Sequence, residues 1–429
     1  MLQTLKNAWK IPELRKKLLF TLFILLIYRL GSVIPVPFID VTTLANYFDS
    51  VLSSTILGLY NAMSGSAFSR ATVLALGIQP YINASIIIQL LTVAIPALER
   101  LAKDGGEDGK KKIERITRYT TVGLGLLMGW AYYMMLRNYS SQISIITSEG
   151  LLPALVIILA FTAGSALVMW LGEQITEFGI GNGISMILFA GIVSRIPQLV
   201  SNMVTSLSNG TLKWYTAILL VVGILAIMVF IVFITNSERR IPVQYAKRVV
   251  GRKMYGGQST HLPIKVNMSG VMPIIFASSI LTIPSTIQLF VTPTGFWKTV
   301  LDALSTTGWV YALIYFLLIL MFAYFYVAIQ YNPIEMANNL RQNNGTIPGI
   351  RPGKPTSDYI QKILSKITLI GALFLAVIAL LPIAFSAFTG MHNLMMGGTS
   401  VIILVGVALD TMKQMESQMM MRHYKGFLD

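Results

Sequence analysis

Apolar positions along the chain gather into long runs, and hydrophobicity averaged over about 19 residues peaks ten times. The runs cover approximately residues 18–34, 72–95, 119–136, 151–171, 184–200, 214–235, 270–290, 309–331, 368–388 and 399–412. A helix of about 20 apolar residues crosses a hydrocarbon core about 30 Å thick. The pattern therefore predicts an all-α integral membrane protein with ten transmembrane helices. The last run is short, and the fifth carries Arg195. Composition agrees, with 54% hydrophobic and 12% charged residues. The opening segment MLQTLKNAWKIPELRKK is basic and amphipathic, with no small-residue cleavage site after it, so the first span reads as retained.

Ten spans put both termini on one side, and charge says which. Of 33 lysines and arginines, 27 fall on the side of the termini, five on the other, and Arg29 lies within the first span. Positive charge near span ends stays in the cytoplasm, so both termini are expected there. The same excess attracts anionic phospholipids. Two basic loops have more pattern than orientation requires. In 238–267, β-branched and aromatic residues alternate with polar ones on both sides of Gly251, predicting a projecting hairpin. In 332–365, Gly and Pro bracket Arg351 and predict a fixed turn.

Three membrane segments are unusual. The apolar run 56–63 would extend only about 12 Å as a helix, too short to cross; it lies in the interface or folds back into a cavity. The second span has Pro80 inside it and Ile78, Ile82, Ser85 and Gln89 on one face. The seventh span repeats the theme with Ile275, Ser278, Ser279 and Thr282. Such stripes meet another helix or water, either as packing contacts or as a shared seam. Their matching places in the first and last five spans hint at a five-plus-five duplication. Between the fourth and fifth spans, LGEQITEFGIGNG holds Glu173 and Glu177 one helical turn apart, without a nucleophile or histidine nearby in sequence, and reads as a braced turn.

Little enzymatic chemistry is available. Cysteine is absent, and the three histidines, His261, His392 and His423, are far apart. No HExxH, phosphate loop or Ser-His pattern appears, so neither an enzyme nor a cofactor is expected. A secondary transporter of small solutes is the alternative, but coupled transport uses ionisable groups near the bilayer midplane. The spans offer only Arg29, Arg195 and Asp410, all toward span ends.

The motifs LGIQPYINASIIIQLL, LGEQITEFGIGNGIS, QSTHLPIKVN, NPIEMANNLRQNNGTIPGIRPG and GGTS, in this order, resemble the SecY family over essentially the whole chain. The resemblance implies two pseudo-symmetric five-helix halves around a central pore with a lateral gate: residues 1–200, residues 201–412 with cytoplasmic loops 236–269 and 332–367, and a tail, 413–429. It implies a pore ring of Ile78, Ile82, Ile184, Leu188, Ile275 and Ile403, with Leu188 where isoleucine is usual. A plug falls near 56–63, with Ile56, Leu57, Leu59, Tyr60 and Met63. The lateral gate sets Asn83, Ile86 and Gln89 opposite Ser278, Ser279 and Thr282, and Arg252, Lys253 and Arg351 match docking positions. The implied activity is that of a protein-conducting channel in the bacterial plasma membrane, which translocates unfolded secretory polypeptides and releases hydrophobic segments sideways into lipid. The implied partners are SecE, SecG, the SecA motor ATPase, the ribosome, signal peptides and nascent polypeptides. An apolar constriction suits that task, because it dewets and seals against ions without favouring any sequence.

Overall fold

The structure is a computed structural model that describes residues 2–48, 61, 64–103, 105–140, 144–148, 150–210, 213–245, 248–250, 253–255, 259–290, 309–389 and 398–425. In chain order the helices of the N-terminal part are α1 (Leu2–Lys10), α2 (Pro12–Gly31), α3 (Val41–Tyr47), α4 (Gln79–Ala94), α5 (Pro96–Lys103), α6 (Gly106–Ser140), α7 (Leu151–Phe178), α8 (Gly183–Val193) and α9 (Ile196–Ser208). After α10 (Trp214–Asn236) come strands β1 (Glu238–Tyr245), β2 (Arg248–Val250), β3 (Lys253–Tyr255) and β4 (Ser259–Lys265). The chain continues through α11 (Met272–Phe290), α12 (Trp309–Gln330), α13 (Pro333–Gln342), β5 (Gly345–Thr346), α14 (Lys354–Thr389) and α15 (Gly398–Lys425).

Every apolar run lies on a helix, but length and apolarity alone qualify fewer than ten to cross a membrane. Among the described residues, five helices qualify, or six if Gln79–Ala94 and Pro96–Ala102, bent by 105°, count as one. The differences from the expected spans have local causes. The second does not start at Thr72: residues 64–78 are irregular, Gly77 has a positive φ, and α4 begins at Gln79. Pro80 therefore sits in the first turn, where its missing N–H costs nothing, and not inside the helix. The fifth run breaks at Ser194 and Arg195, because Pro197 opens a new helix. The last run is no short element, since α15 continues to Lys425.

The outward faces are apolar. On α10, Ile218, Leu219, Val222, Leu225, Val229 and Phe233 are all exposed. Contiguous apolar surface on this scale suits lipid, not water. Inside, one cluster joins side chains from α2, α4, α6, α7, α8, α11, α12, α14 and α15. Its irregular part, residues 64–78, is covered almost completely. A chain of aromatic rings, Phe48, Phe68, Tyr132 and Phe161, runs through it at centroid spacings of 5.9, 4.6 and 4.8 Å. The Tyr132 hydroxyl donates to the Phe68 carbonyl at 2.6 Å, and Asn61 Oδ1 accepts from Ser69 N at 3.0 Å. Arg29, near the far end of α2, reaches the Gly65 carbonyl at 3.5 Å. At the same end the chain is stitched across loops by bridges between Pro35 and Thr72 and between Ile39 and Ile146.

The α6 and α7 backbones approach closely through small residues. A methyl group on Gly125 would come within 2.8 Å of Ser165 Oγ, and one on Gly129 within 3.2 Å of the Ile158 carbonyl. This G-xxx-G spacing lets dispersion act where lipid supplies no hydrophobic drive. Arg118 Nε donates to Glu173 Oε1 at 2.9 Å across the same pair, so Glu173 braces two helices and not the turn after α7, while Glu177 is exposed.

Gly125→Leu is expected to cost about 1–3 kcal/mol through overpacking and to lower the thermal midpoint of the purified protein in detergent. Glu173→Gln, at a half-exposed pair, is expected to cost less than about 1 kcal/mol. An unchanged midpoint for Gly125→Leu would show that α6 and α7 do not depend on the close approach.

Candidate pore and gate

The sharpest local construction is the turn between α7 and α8. Asn182 caps α8, its Oδ1 accepting from Ile184 N at 3.1 Å and Ser185 N at 3.3 Å. Gly183 N donates to Thr176 Oγ1 at 2.9 Å, and Ile180 N to Thr21 Oγ1 of α2 at 3.1 Å. Gly181 takes a φ of +88°, and a side chain on Gly183 would run into the Gly172 carbonyl. The glycines thus let α8 start hard against α7. A methyl group on Gly172 would meet Ile187 and Ile78 side chains at 3.4 and 3.5 Å, so this contact also fixes α8 relative to the start of α4.

Ile78 is the cap residue of α4, not a residue within it, yet Ile82 N still donates to the Ile78 carbonyl at 3.1 Å. The two therefore remain one turn apart. Ile78, Ile82, Leu188, Ile275 and Ile403 are all at most 6% exposed and belong to one apolar cluster, and Ile184 is half-buried against it. Ile275 and Ile403 also line a cavity of about 490 Å³ together with Asn182 and Ser185. The cavity follows α15 from Ser417 to Ile403, fourteen residues, or about 21 Å of helix. Its wall is polar toward the terminal end, with Lys413, Gln414 and Asp410, and apolar at Val407 and Ile403.

Helix α11 packs against both α4 and α6. Ile86, Ser278 and Ser279 are buried, Asn83 is half-buried and Gln89 is exposed. Two of these polar groups spend their bonds away from the α4–α11 seam. Ser278 Oγ donates to the Ile275 carbonyl of its own helix at 2.9 Å, and Asn83 Nδ2 lies 4.0 Å from Met128 Sδ on α6. Thr282 lies on α11, with its side chain outside the description. The plug residues Ile56, Leu57, Leu59, Tyr60 and Met63 lie outside the described residues.

The cytoplasmic loops expected from sequence are joined. β1 and β4 pair antiparallel from Glu238↔Lys265 to Gln244↔Ser259, and β2 pairs with β3, closing with Val250↔Lys253. Arg252 lies outside the described residues; Lys253 starts β3. β5 adds to the free edge of β1 through Gln244↔Thr346 and Tyr245↔Gly345. Behind the sheet, Ile241, Val243, Ile264, Leu340, Ile347 and Ile360 form a separate apolar core. Arg351 is exposed in the turn that follows, between Gly349 and Gly353, both with positive φ, and its carbonyl accepts from Thr356 Oγ1 at 2.9 Å. Local periodicity carries no sign of β5, of Thr21 or of Thr176, because each acts on a partner distant in sequence or outside its own helix.

Among the described residues, no three His, Asp or Glu side chains gather in a way that could hold a metal ion. A family model described as SecY matches residues 72–412. The chain is 45% identical over 440 residues to the protein translocase subunit SecY of Streptomyces coelicolor, with both chains covered completely. A solved structure described as that of a protein conducting channel superposes with a TM-score of 0.67 at 20% identity, covering 96% of each chain. Sec61 in a canine ribosome-channel complex from the endoplasmic reticulum gives 0.61 at 18% identity, again with 96% of each covered. With its fold and full-length sequence both matched, the chain belongs to the SecY family and is a protein-conducting channel subunit.

Proposed function

We propose that this chain threads unfolded secretory polypeptides through a constriction formed by Ile78, Ile82, Ile184, Leu188, Ile275 and Ile403, and releases hydrophobic segments into lipid between α4 and α11. The observation that carries the reading is the cavity of about 490 Å³ whose polar wall gives way to Ile275 and Ile403 at its inner end. A polypeptide arriving in water meets hydrogen-bonding groups first and an apolar seal last. The seal resists ions because a narrow apolar passage dewets, and it yields to any sequence because it offers no specific ligand.

In this reading ten spans form two halves, 1–200 and 201–412, in the bacterial plasma membrane, with both termini cytoplasmic and a plug near 56–63. Ile86 is buried in the apolar cluster and Ser278 bonds within its own helix, which supports a gate at α4 and α11: apolar contact and weak polar contacts part more cheaply than ion pairs. SecE and SecG are the companion subunits, and anionic phospholipids contact the basic side. Arg252, Lys253 and Arg351 receive SecA or the ribosome; the canine Sec61 neighbour is itself described in a ribosome complex. A small-solute transporter finds no support in these relatives.

Three outcomes test the proposal. In planar bilayers, Ile82→Asn with Ile275→Asn is expected to raise resting conductance severalfold over the parent while leaving the thermal midpoint nearly unchanged. Equal conductance with a strongly lowered midpoint would return these residues to ordinary core packing. Arg351→Glu is expected to impair SecA-driven transport by about tenfold or more, the loss of a paired charge, with folding and SecE association intact; undiminished transport would remove Arg351 from docking. Since the chain has no cysteine, single cysteines after Gly105, near Gly256 and at the C-terminus are expected to react with an impermeant reagent only from the cytoplasmic side. Labelling from outside intact cells would reverse the orientation.

A further inference from the structure

The linker between β4 and α11 carries a polar group with no use in the resting fold. Asn267 is 8% exposed and lines the cavity, and among the described residues its Oδ1 has no hydrogen-bond donor. The linker holds it firmly. Val266 N donates to the Ser237 carbonyl at 2.9 Å. Gly371 of α14 leaves just enough room for the Val266 carbonyl, which a methyl group there would meet at 2.5 Å. Gly406 of α15 leaves similar room for Val271 Cγ2, at 2.6 Å. Buried polar groups are nearly always bonded, so one that is not points to a state in which it is.

The surroundings indicate the partner's chemistry. The same cavity is lined by Ser185, Gln330 and Gln414, and by Asn182 and Thr411, whose oxygens already serve the α8 cap and the Val407 carbonyl; these are neutral amides and hydroxyls that recognise no particular side chain. Asn267 precedes Ile275 by eight residues and lines the same cavity. A carboxamide has a donor and an acceptor in one plane, the same pair that a peptide unit presents, and can meet both at once. An extended chain about to enter an apolar passage leaves water with those groups unpaired, and each unmet group is costly there.

We propose that Asn267 hydrogen-bonds the backbone of the extended polypeptide in transit, one peptide unit at a time, immediately before the constriction. The inference rests on the channel reading above, and names what the cavity wall reads: main chain, not side chains. Lys265, Lys413 and Asp410 lie in the same cavity and set its charge; Asn267 supplies a contact that charge does not alter.

Because the chain lacks cysteine, Asn267→Cys and Ile275→Cys each create a thiol unique in this chain, and the full translocase carrying the parent chain serves as the control for thiols of other subunits. A secretory precursor halted by a folded C-terminal domain, with single cysteines placed along it, is expected to form disulfides with both, at precursor positions a few residues apart. Capture by Ile275→Cys without capture by Asn267→Cys overturns the Asn267 contact and leaves the channel intact; capture by neither overturns the channel reading. Backbone bonding is tested with Asn267→Leu on precursors carrying either an alanine run or a proline run, which has no N–H. The expected result is transport slowed about fivefold for the alanine run, the size of one net hydrogen bond, and less than twofold for the proline run. Equal slowing of both, or slowing of neither, overturns the proposal. If Asn267→Leu does not assemble, the cysteine capture decides alone.

Discussion

In a bilayer no backbone N–H or carbonyl can be left facing hydrocarbon, and every non-helical piece of this protein at membrane depth is arranged around that fact. Among the described residues, 64–78 are the longest such piece. They are tolerated because α6 and α7 wrap them: the aromatic series from Phe48 to Phe161 excludes lipid, and Tyr132, Asn61 and Arg29 take up backbone groups that no helix satisfies. The irregular segment in turn delivers Ile78 to the first turn of α4. The turn at 179–183 obeys the same rule with different means. Thr21 and Thr176 supply hydroxyl acceptors for the amides of Ile180 and Gly183, and glycine supplies the room. Both constructions end by presenting apolar side chains toward the centre of the bundle.

The sheet region is built differently, with an apolar core of its own. Its sheet order β4-β1-β5 places the hairpin and the Arg351 turn on one frame, with their own apolar core beneath. From Lys265 at the end of β4, ten residues lead to Ile275, and Gly371 and Gly406 hold that path against α14 and α15. The hairpin and α11 are thereby joined by a linker packed against two helices.

Much of this was legible from residues alone, for reasons that vary by feature. Hydropathy located a helix at every apolar run, because desolvation is summed over many residues and is insensitive to any one of them. It misplaced the start of the second span and overlooked the break in the fifth, since Gly77, Pro80 and Pro197 act on dihedral angles and not on polarity. The alternation around Gly251 revealed the hairpin, whereas the two residues of β5 were too few to show a period. The ring positions followed from the family resemblance, since no periodicity joins residues on four separate helices. The seam was read as polar contacts, yet Ser278 turns its hydroxyl to its own helix and Asn83 turns to α6, choices fixed by rotamers that no spacing records. The sequence marks Asn267 only as the end of the QSTHLPIKVN motif; that its Oδ1 is buried without a donor among the described residues depends on packing that no spacing records.

The joint between the Arg351 loop and the hairpin is very unequal to the hairpin it borders. Among the described residues β1 meets β4 along seven residue pairs but meets β5 along two. Two rungs behave as a shear pin: under load they part first, while the longer ladder stays whole. A partner that grips the Arg351 turn and the hairpin together moves them as one piece, whereas a partner that pulls on one alone loads the two rungs and the shared apolar core beneath them. The fold thus distinguishes a two-handed grip from a one-handed one before any motion reaches the membrane.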